Sequence, residues 1–290
     1  MKRNFVLAIT LCLCGASLLA QPRSASEPQK LIEHTVGLMA PVWSPDGSQI
    51  AVTTDNYTGI LVANADGTNL KSITTESGAG YKMKWSADGT QILGRTNIVE
   101  NNRVLHAVKA WNIKTGDEKT LIEKSRNIEG VPTWKSLDIK PTLVSSSVYE
   151  IMVSNPAKAT VLITSLNEFK GKIVINPTLS ADGSMVAFQI PGKGMWVCNN
   201  DGTNLKSLGK GSNPQWLADN ESIIYTVVTD DGSQFTSSDI YSMNINNGKK
   251  YLLTENTNLI PLTPSVSPDG KKVAFENAID ASIYVINLKY

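Results

Sequence analysis

A short set of side chains would have to carry any chemistry this chain performs. Two histidines, His34 and His106, are its only candidates for a general base of near-neutral pKa or an imidazole metal ligand. His34 follows a short apolar segment and His106 lies in an alternating run from Val104 to Ile113, so ordinary loop and strand positions are expected for them. A His-Glu-x-x-His zinc pattern, a Gly-x-Ser-x-Gly nucleophile turn and a phosphate loop are missing from the sequence. Asp46, Asp88, Asp182 and Asp269 form a recurring carboxylate set, yet each falls in a tetrapeptide whose turn geometry accounts for it. Trp43, Trp85, Trp134 and Trp216 could in principle cage a sugar or a cation. Their regular recurrence predicts packing between repeated units instead. Cys198 takes the place of Ala63 in a matching strand, which predicts a buried, inert thiol. No catalytic, cofactor-binding or metal-binding residue is assigned on this reading, and a non-enzyme is expected.

The elements that hold these residues are a repeat. Ser44-Pro45-Asp46-Gly47, Ser86-Ala87-Asp88-Gly89, Ser180-Ala181-Asp182-Gly183 and Ser267-Pro268-Asp269-Gly270 are four copies of one turn, and Leu217-Ala218-Asp219-Asn220 is a worn fifth. Proline presets φ at the second turn position, serine bonds the local backbone and glycine accepts the exit geometry, so the tetrapeptide joins two antiparallel strands. Just before each turn stands an apolar residue, as Trp43, Trp85, Trp134, Leu179, Trp216 and Val266, and two positions earlier usually a proline, as Pro41, Pro132, Pro177, Pro214 and Pro264. A strand tolerates proline only at its start or at a sheet edge, which marks this strand as the innermost of its unit. The six units are spaced by 42, 49, 45, 37 and 50 residues, the period of four-stranded propeller blades.

Second hairpin turns follow at Asn64-Ala65-Asp66-Gly67, Lys114-Thr115-Gly116, Asn199-Asn200-Asp201-Gly202 and Asn246-Asn247-Gly248, where Asp-Gly and Asn-Gly supply the positive φ that tight hairpins need. The third unit is degenerate, with Leu137-Asp138-Ile139-Lys140-Pro141 in place of the first turn, but its later strands still align and it counts as a blade. The last unit stops after its third strand, Ser282 to Leu288. Lys30-Leu31-Ile32-Glu33 resembles Thr120-Leu121-Ile122-Glu123, a fourth strand, so residues 29–35 are expected to pair with residues 282–288 and close the ring. The expected fold is an all-β, six-bladed β-propeller of four-stranded antiparallel blades over residues 29–290, preceded by a short segment at 21–28.

Residues 1–20 combine Lys2 and Arg3, an apolar run from Phe5 to Leu13 and small residues before Ala20, the layout of a secretory signal peptide. Cys12 and Cys14 each follow a leucine where a lipid-anchor signal wants a small residue, so export to the periplasm or beyond without a lipid anchor is expected. Cleavage there would move the formal charge from +1 to −1, with Lys and Arg scattered among nearly equal numbers of acids. A nucleic-acid partner needs a basic patch and is not expected. Neither is a membrane span, which needs roughly 20 apolar residues. Cys198 alone would remain after cleavage, so stability must come from the core, and a monomer is expected.

The Pro-x-Trp-Ser-Pro-Asp-Gly unit with its later Asp-Gly hairpin resembles the WD40-like repeat of the TolB propeller family, across roughly residues 29–290. The resemblance implies a periplasmic protein whose propeller binds another envelope protein. It also implies a departure, because about ten residues between position 20 and the closing strand leave no room for that family's N-terminal α/β domain. Sugar-cleaving relatives in this family, such as oligogalacturonate lyases, use a histidine-rich metal site, which two histidines do not supply.

With both Asp-Gly turn sets on one rim, the opposite rim carries the connections between second and third strands and between blades. These include Asp55 to Gly59, Asn97 to Arg103, Pro191 to Gly194, Thr229 to Ser238, Thr75 to Tyr81 and Glu255 to Thr263. Loops on a rigid scaffold are the usual place for recognition, and Tyr57, Tyr81, Arg103, Asp230, Asp231 and Phe235 are the candidate partner-binding residues they display. The expected function is binding of an envelope protein or an extracellular polymer; a glycan-active hydrolase or lyase is the alternative.

Overall fold

The computed structural model describes residues 20–126, 128, 142–143, 151–155, 158–162, 172–255 and 257–290. Two short strands, β1 (Ser24–Ala25) and β2 (Gln29–Ile32), come first. The first blade is β3 (Leu38–Trp43), β4 (Gln49–Thr54), β5 (Thr58–Asn64) and β6 (Lys71–Thr74). The second is β7 (Lys84–Trp85), β8 (Gln91–Glu100), β9 (Arg103–Asn112) and β10 (Glu118–Ser125). A sheet of three described strands follows, β11 (Thr142–Leu143), β12 (Met152–Asn155) and β13 (Lys158–Leu162). Then come the blades β14 (Ile175–Leu179), β15 (Met185–Ile190), β16 (Gly194–Asn199), β17 (Lys206–Gly209) and β18 (Ser212–Trp216), β19 (Ser222–Asp230), β20 (Phe235–Asn244), β21 (Lys250–Leu252). Strands β22 (Pro261–Val266), β23 (Lys272–Asn277) and β24 (Ile283–Lys289) begin the last blade, and β2 and β1 both pair with β24 to complete it.

This is an all-β propeller of antiparallel four-stranded blades. Where the repeat predicts six such blades, five are complete among the described residues. The third unit, with Pro132, Trp134 and Leu137 to Pro141, lies mostly outside the described residues, and so does the expected signal segment over residues 1–19.

The turns fold for the reason their sequence gives. In the first, Ser44 donates its hydroxyl to Asp46 Oδ1 at 2.6 Å, Ser48 N–H donates to the same oxygen at 3.0 Å, and Gln49 N–H donates back to Ser44 Oγ at 2.9 Å. The serine–aspartate bond recurs at Ser86–Asp88, Ser180–Asp182 and Ser267–Asp269. Gly47 sits at φ 70°, where a side chain would be strained. These bonds favour the ionised acid and hold Asp46 down at about 2.

Apolar residues of adjacent blades mesh into cores: Ile50, Val52 and Trp43 with Ala274 and Ile283, Val62 and Ile60 with Trp85 and Trp111, and Tyr225 with Met195 and Leu208. The repeated tryptophan does more than fill this space. Trp85 Nε1 donates to the Val42 carbonyl at 3.0 Å, Trp43 Nε1 to Ser265 at 3.1 Å and Trp216 Nε1 to Thr178 at 3.0 Å, each reaching into the preceding blade. The near-verbatim fourth strands carry a second tie of the same kind. Lys71 Nζ donates to the Ile113 carbonyl and Lys206 Nζ to Ile245, both at 2.6 Å, in the following blade.

At the seam, Gln29 opposes Val285, Lys30 opposes Tyr284 and Ile32 opposes Ile283. Pairing ends at Ile32 rather than reaching residue 35, and β1 adds Ser24 opposite Lys289 and Ala25 opposite Leu288. The extra pairing puts the chain from Ser24 onward into the last sheet.

Candidate functional site

Because the four strands of a blade alternate in direction, both Asp-Gly turn sets share one rim and the remaining connections share the other. All six candidate residues lie on that second rim, in three separate places. Tyr57 and Tyr81 come together with ring centroids 5.2 Å apart, edge to face. The backbone explains the meeting: Gly80 N–H donates to the Tyr57 carbonyl at 3.1 Å, and a Cβ at position 80 would lie 2.0 Å from the Thr53 hydroxyl oxygen. Only glycine lets the two segments approach so closely. The Arg95 guanidinium lies over the Tyr81 ring, 4.4 Å from its centroid, and Lys82 Nζ lies 5.5 Å from the same centroid.

Arg103 stands apart, at the tip of the second blade's hairpin opposite Glu100. The stretch from Asn97 to Arg103 reads as an irregular connection, but β8 and β9 stay paired to that tip and only Asn101 and Asn102 turn, both at positive φ. A similar correction applies to Thr229 to Ser238. Strands β19 and β20 run on to pair Asp230 with Phe235, so the loop shrinks to the residues between them. A run of β-branched residues, Thr226, Val227, Val228 and Thr229, extends the strand past the loop that composition suggests. Asp230, Asp231 and Phe235 therefore sit together on one rigid hairpin. Its turn is tied by Asp230 Oδ1 accepting from Gly232 N–H at 3.1 Å and Asp231 Oδ1 accepting from Ser233 and Gln234 at 2.9 and 2.8 Å.

The sequence conceals a second layer at the mouth of the central channel. Ala40, Lys82, Asn176, Asn213 and Thr263 each stand three residues before the Trp-position residue of their innermost strand, and each adopts a left-handed backbone with φ between 43° and 52°. Strand register shifts at four of these places, between Met39 and Val42, Ile175 and Thr178, Ser212 and Gln215, and Leu262 and Ser265. Bulges of this kind re-aim side chains and are common beside functional sites. The signal that finds them is positional, since Ala, Lys, Asn and Thr share no propensity for this conformation.

Polar groups answer the bulges from the second strands. The buried Glu276 carboxylate Oε2 accepts from Ala40 N–H at 2.5 Å and from the Thr263 hydroxyl at 2.7 Å, joining the last blade to the first. Asn176 donates to Gln189 Oε1 at 3.3 Å and to Asn213 Oδ1, joining the fourth unit to the fifth. Burial pushes the Glu276 acid up against the pull of these two bonds, and burial together with the charge of Glu276 pushes Tyr57 up. His106 faces Asn97, with Nδ1 3.0 Å from its Oδ1, and burial beside Arg95 lowers its pKa. Cys198 is buried, and desolvation pushes its thiol up to about 12, which removes the reactive thiolate. Among the described residues no cluster of three His, Cys, Asp or Glu side chains is placed to hold a metal ion.

Glu276 sets a pH dependence whose sign follows from its environment. Its folded-state pKa lies above the unfolded value, so between the two the folded protein keeps a proton that the unfolded chain has lost. Stability from this group is present below that window and is lost as pH rises through the raised value. The turn aspartates act oppositely and at lower pH, because theirs is lost as pH falls through values such as the 2 of Asp46. From about pH 4 to about pH 8 the melting temperature of the wild type is expected to fall relative to that of Glu276→Gln, which keeps an oxygen for Ala40 and Thr263 but binds no proton. An identical slope in both proteins would assign the dependence elsewhere.

Neither a protein-family model nor a curated protein matches this sequence. Solved structures do match the fold. An oligogalacturonate lyase from Vibrio parahaemolyticus is similar over 88% of this chain and 79% of its own, with a TM-score of 0.54 at 13% identity. TolB from Acinetobacter baumannii is similar over 87% of this chain with a TM-score of 0.54 at 16% identity, and the chain spans 64% of its length. The tricorn protease shares the fold over 87% of this chain and 26% of its own, with a TM-score of 0.53 at 14% identity. At such identities the likeness extends to the propeller alone.

Proposed function

We infer that this chain is an exported, non-catalytic binding module, a six-bladed propeller with the β11–β13 sheet as its third blade, whose irregular rim holds another envelope protein or an extracellular polymer. The observation that supports this most directly is the exposed aromatic surface that distinguishes the irregular rim from the turn rim. On the turn rim the carboxylates of Asp46, Asp66, Asp88, Asp182, Asp201 and Asp269 each accept hydrogen bonds from their own turns. On the other rim the Tyr57–Tyr81 pair and the half-exposed Phe235 offer aromatic surface on rigid supports. Tyrosine, arginine and other large anchors on a fixed scaffold favour recognition at low entropic cost. The module works as a monomer, without a cofactor.

A second reading, a hydrolase or lyase acting on glycans, is supported by the channel mouth. There the Tyr57 and Tyr81 rings would stack on a sugar, and Glu276, with its raised pKa, would serve as the acid. Turnover separates the two readings, because an enzyme shortens an oligosaccharide that a binding module only retains.

Capture of partners from an envelope extract tests the rim. Alanine at Tyr57, Tyr81, Arg103 or Phe235 is expected to weaken capture by about 1–2 kcal/mol or more at true anchors, roughly tenfold in affinity. Substitutions at Asn69 and Asn204 on the turn rim should leave it unchanged. Capture indifferent to the four changes but lost at Asn69 or Asn204 would place the partner on the wrong face for this reading.

A further inference from the structure

The fifth blade's hairpin does not stand free. It leans over the last blade, and between them lies a groove of about 750 Å³ walled by Asp230 and Phe235 on one side and by Ile260, Ala278 and Ile279 on the other. Its apolar side chains are unusually open to solvent: Phe235 is 49% exposed and Ile279 62%. The floor is nevertheless fixed. Asn277, fully buried beneath it, accepts from Ile260 N–H at 2.9 Å through Oδ1 and donates to Asp280 Oδ1 at 2.8 Å, while Ala278 N–H donates to the Ile260 carbonyl at 3.0 Å. Exposed apolar side chains that wall a groove with a hydrogen-bonded floor mark an interaction site.

Charge decides what that occupant is. Asp230 lines the groove and Asp231 is the next residue on its lip. Backbone hydrogen bonds from Gln234 and Ser233 keep Asp231 below the usual carboxylate range, so it stays ionised. Beyond Ile279, Asp280 holds Lys30 at 3.0 Å, and Glu33 approaches the same lysine at 3.6 Å, so that cation is outweighed by two carboxylates. No lysine, arginine or histidine is among the residues lining the groove.

We propose that this groove is a docking site for a short basic and apolar segment of a partner protein, with an aromatic or aliphatic side chain seated between Phe235 and Ile279 and a lysine or arginine on Asp230 and Asp231. The inference rests on the rim being the binding face and narrows it to one place and one chemistry. Charge at the lip steers the segment and sets its polarity, and the apolar seat holds it.

The test uses the full chain and two labelled peptides, one alternating lysine with leucine and tryptophan and one with glutamate in place of every lysine, followed by fluorescence anisotropy. The basic peptide is expected to bind saturably and at least tenfold more tightly than the acidic one. Phe235→Ser and Ile279→Ser should each weaken it about tenfold, and Asp230→Asn with Asp231→Asn should weaken it several-fold and flatten its salt dependence. Asparagine keeps the oxygen that each turn requires, so this variant folds. Asn69→Gly, on the turn rim at a positive φ that glycine accepts, should leave peptide binding unchanged. Equal binding of both peptides, or indifference to the Phe235 and Ile279 changes, would overturn the proposal, as would a concentration-dependent dimer that Ile279→Ser abolishes. Should envelope capture respond to Tyr57 and Tyr81 while peptide binding ignores the groove, the rim reading survives and this inference alone fails.

Discussion

Deleting residues 21–33 is expected to lower the melting temperature by roughly 10–20 °C and to make the protein prone to aggregate. The deletion removes Ile32, 3% exposed and packed with Leu38, Trp43 and Ile283 where the first and last blades meet. Burial of that side chain contributes about 2–3 kcal/mol. Backbone bonds from Arg23 N–H to Lys289 and from Ser26 N–H to Asn287, each 2.8 Å, add about 0.5–1.5 kcal/mol apiece, as does the Ser242 hydroxyl bonded to the Pro22 carbonyl. A total of ~5 kcal/mol, at about 2–4 °C per kcal/mol for a domain of this size, gives the expected shift. The freed β24 edge presents Ile283, Val285 and Leu288 to other chains, which is why aggregation should accompany the loss. A thermal melt decides it, and an unchanged transition would mean that the seam does not hold the fold.

Replacing Trp85 is expected to have the second-largest effect. Trp85→Ala should cost about 3–5 kcal/mol, the range for emptying a large aromatic site in a packed core. The more informative change is Trp85→Phe, which keeps most of the packing but removes the indole N–H that reaches the Val42 carbonyl. A buried carbonyl left unpaired costs about 1–3 kcal/mol. Since Trp43 and Trp216 make the same bond to Ser265 and Thr178, the phenylalanine variants at all three should lose similar stability in denaturant unfolding. Neutral phenylalanine variants throughout would reduce the tryptophan's role to volume.

Much of this architecture is legible in the residues themselves because turns are local. Ser44, Asp46 and Gly47 satisfy one another within a few residues, so the tetrapeptide marks a hairpin wherever it occurs. The seam is legible too, since Lys30-Leu31-Ile32 repeats the pattern of a fourth strand. What depends on distant neighbours is not. Arg103 and Phe235 read as loop residues because nothing in Asn97 to Arg103 or Thr229 to Ser238 says that the flanking strands continue. Tyr57 and Tyr81 appear as unrelated loop aromatics until Gly80 brings one backbone against the other. Glu276 looks like a surface residue of a strand. Only alignment of the repeats places it with Thr53, Arg95, Gln189 and Thr226, three residues beyond the partner of each Trp-position residue and opposite the bulge.

The seam also has a kinetic meaning. Most of the described strand pairs are hairpins closed over a few residues, the kind of local contact expected to form early. Gln29 and Val285 pair across nearly the whole chain, so their contact carries a loop-closure entropy that grows as about (3/2)RT ln n and is met only when the intervening blades are in place. The seam is therefore expected to pair late, because contacts of such high sequence separation slow folding. Until that step the β24 edge stays open, so a freshly made or refolding chain is most vulnerable to association with its own kind just before it becomes most stable.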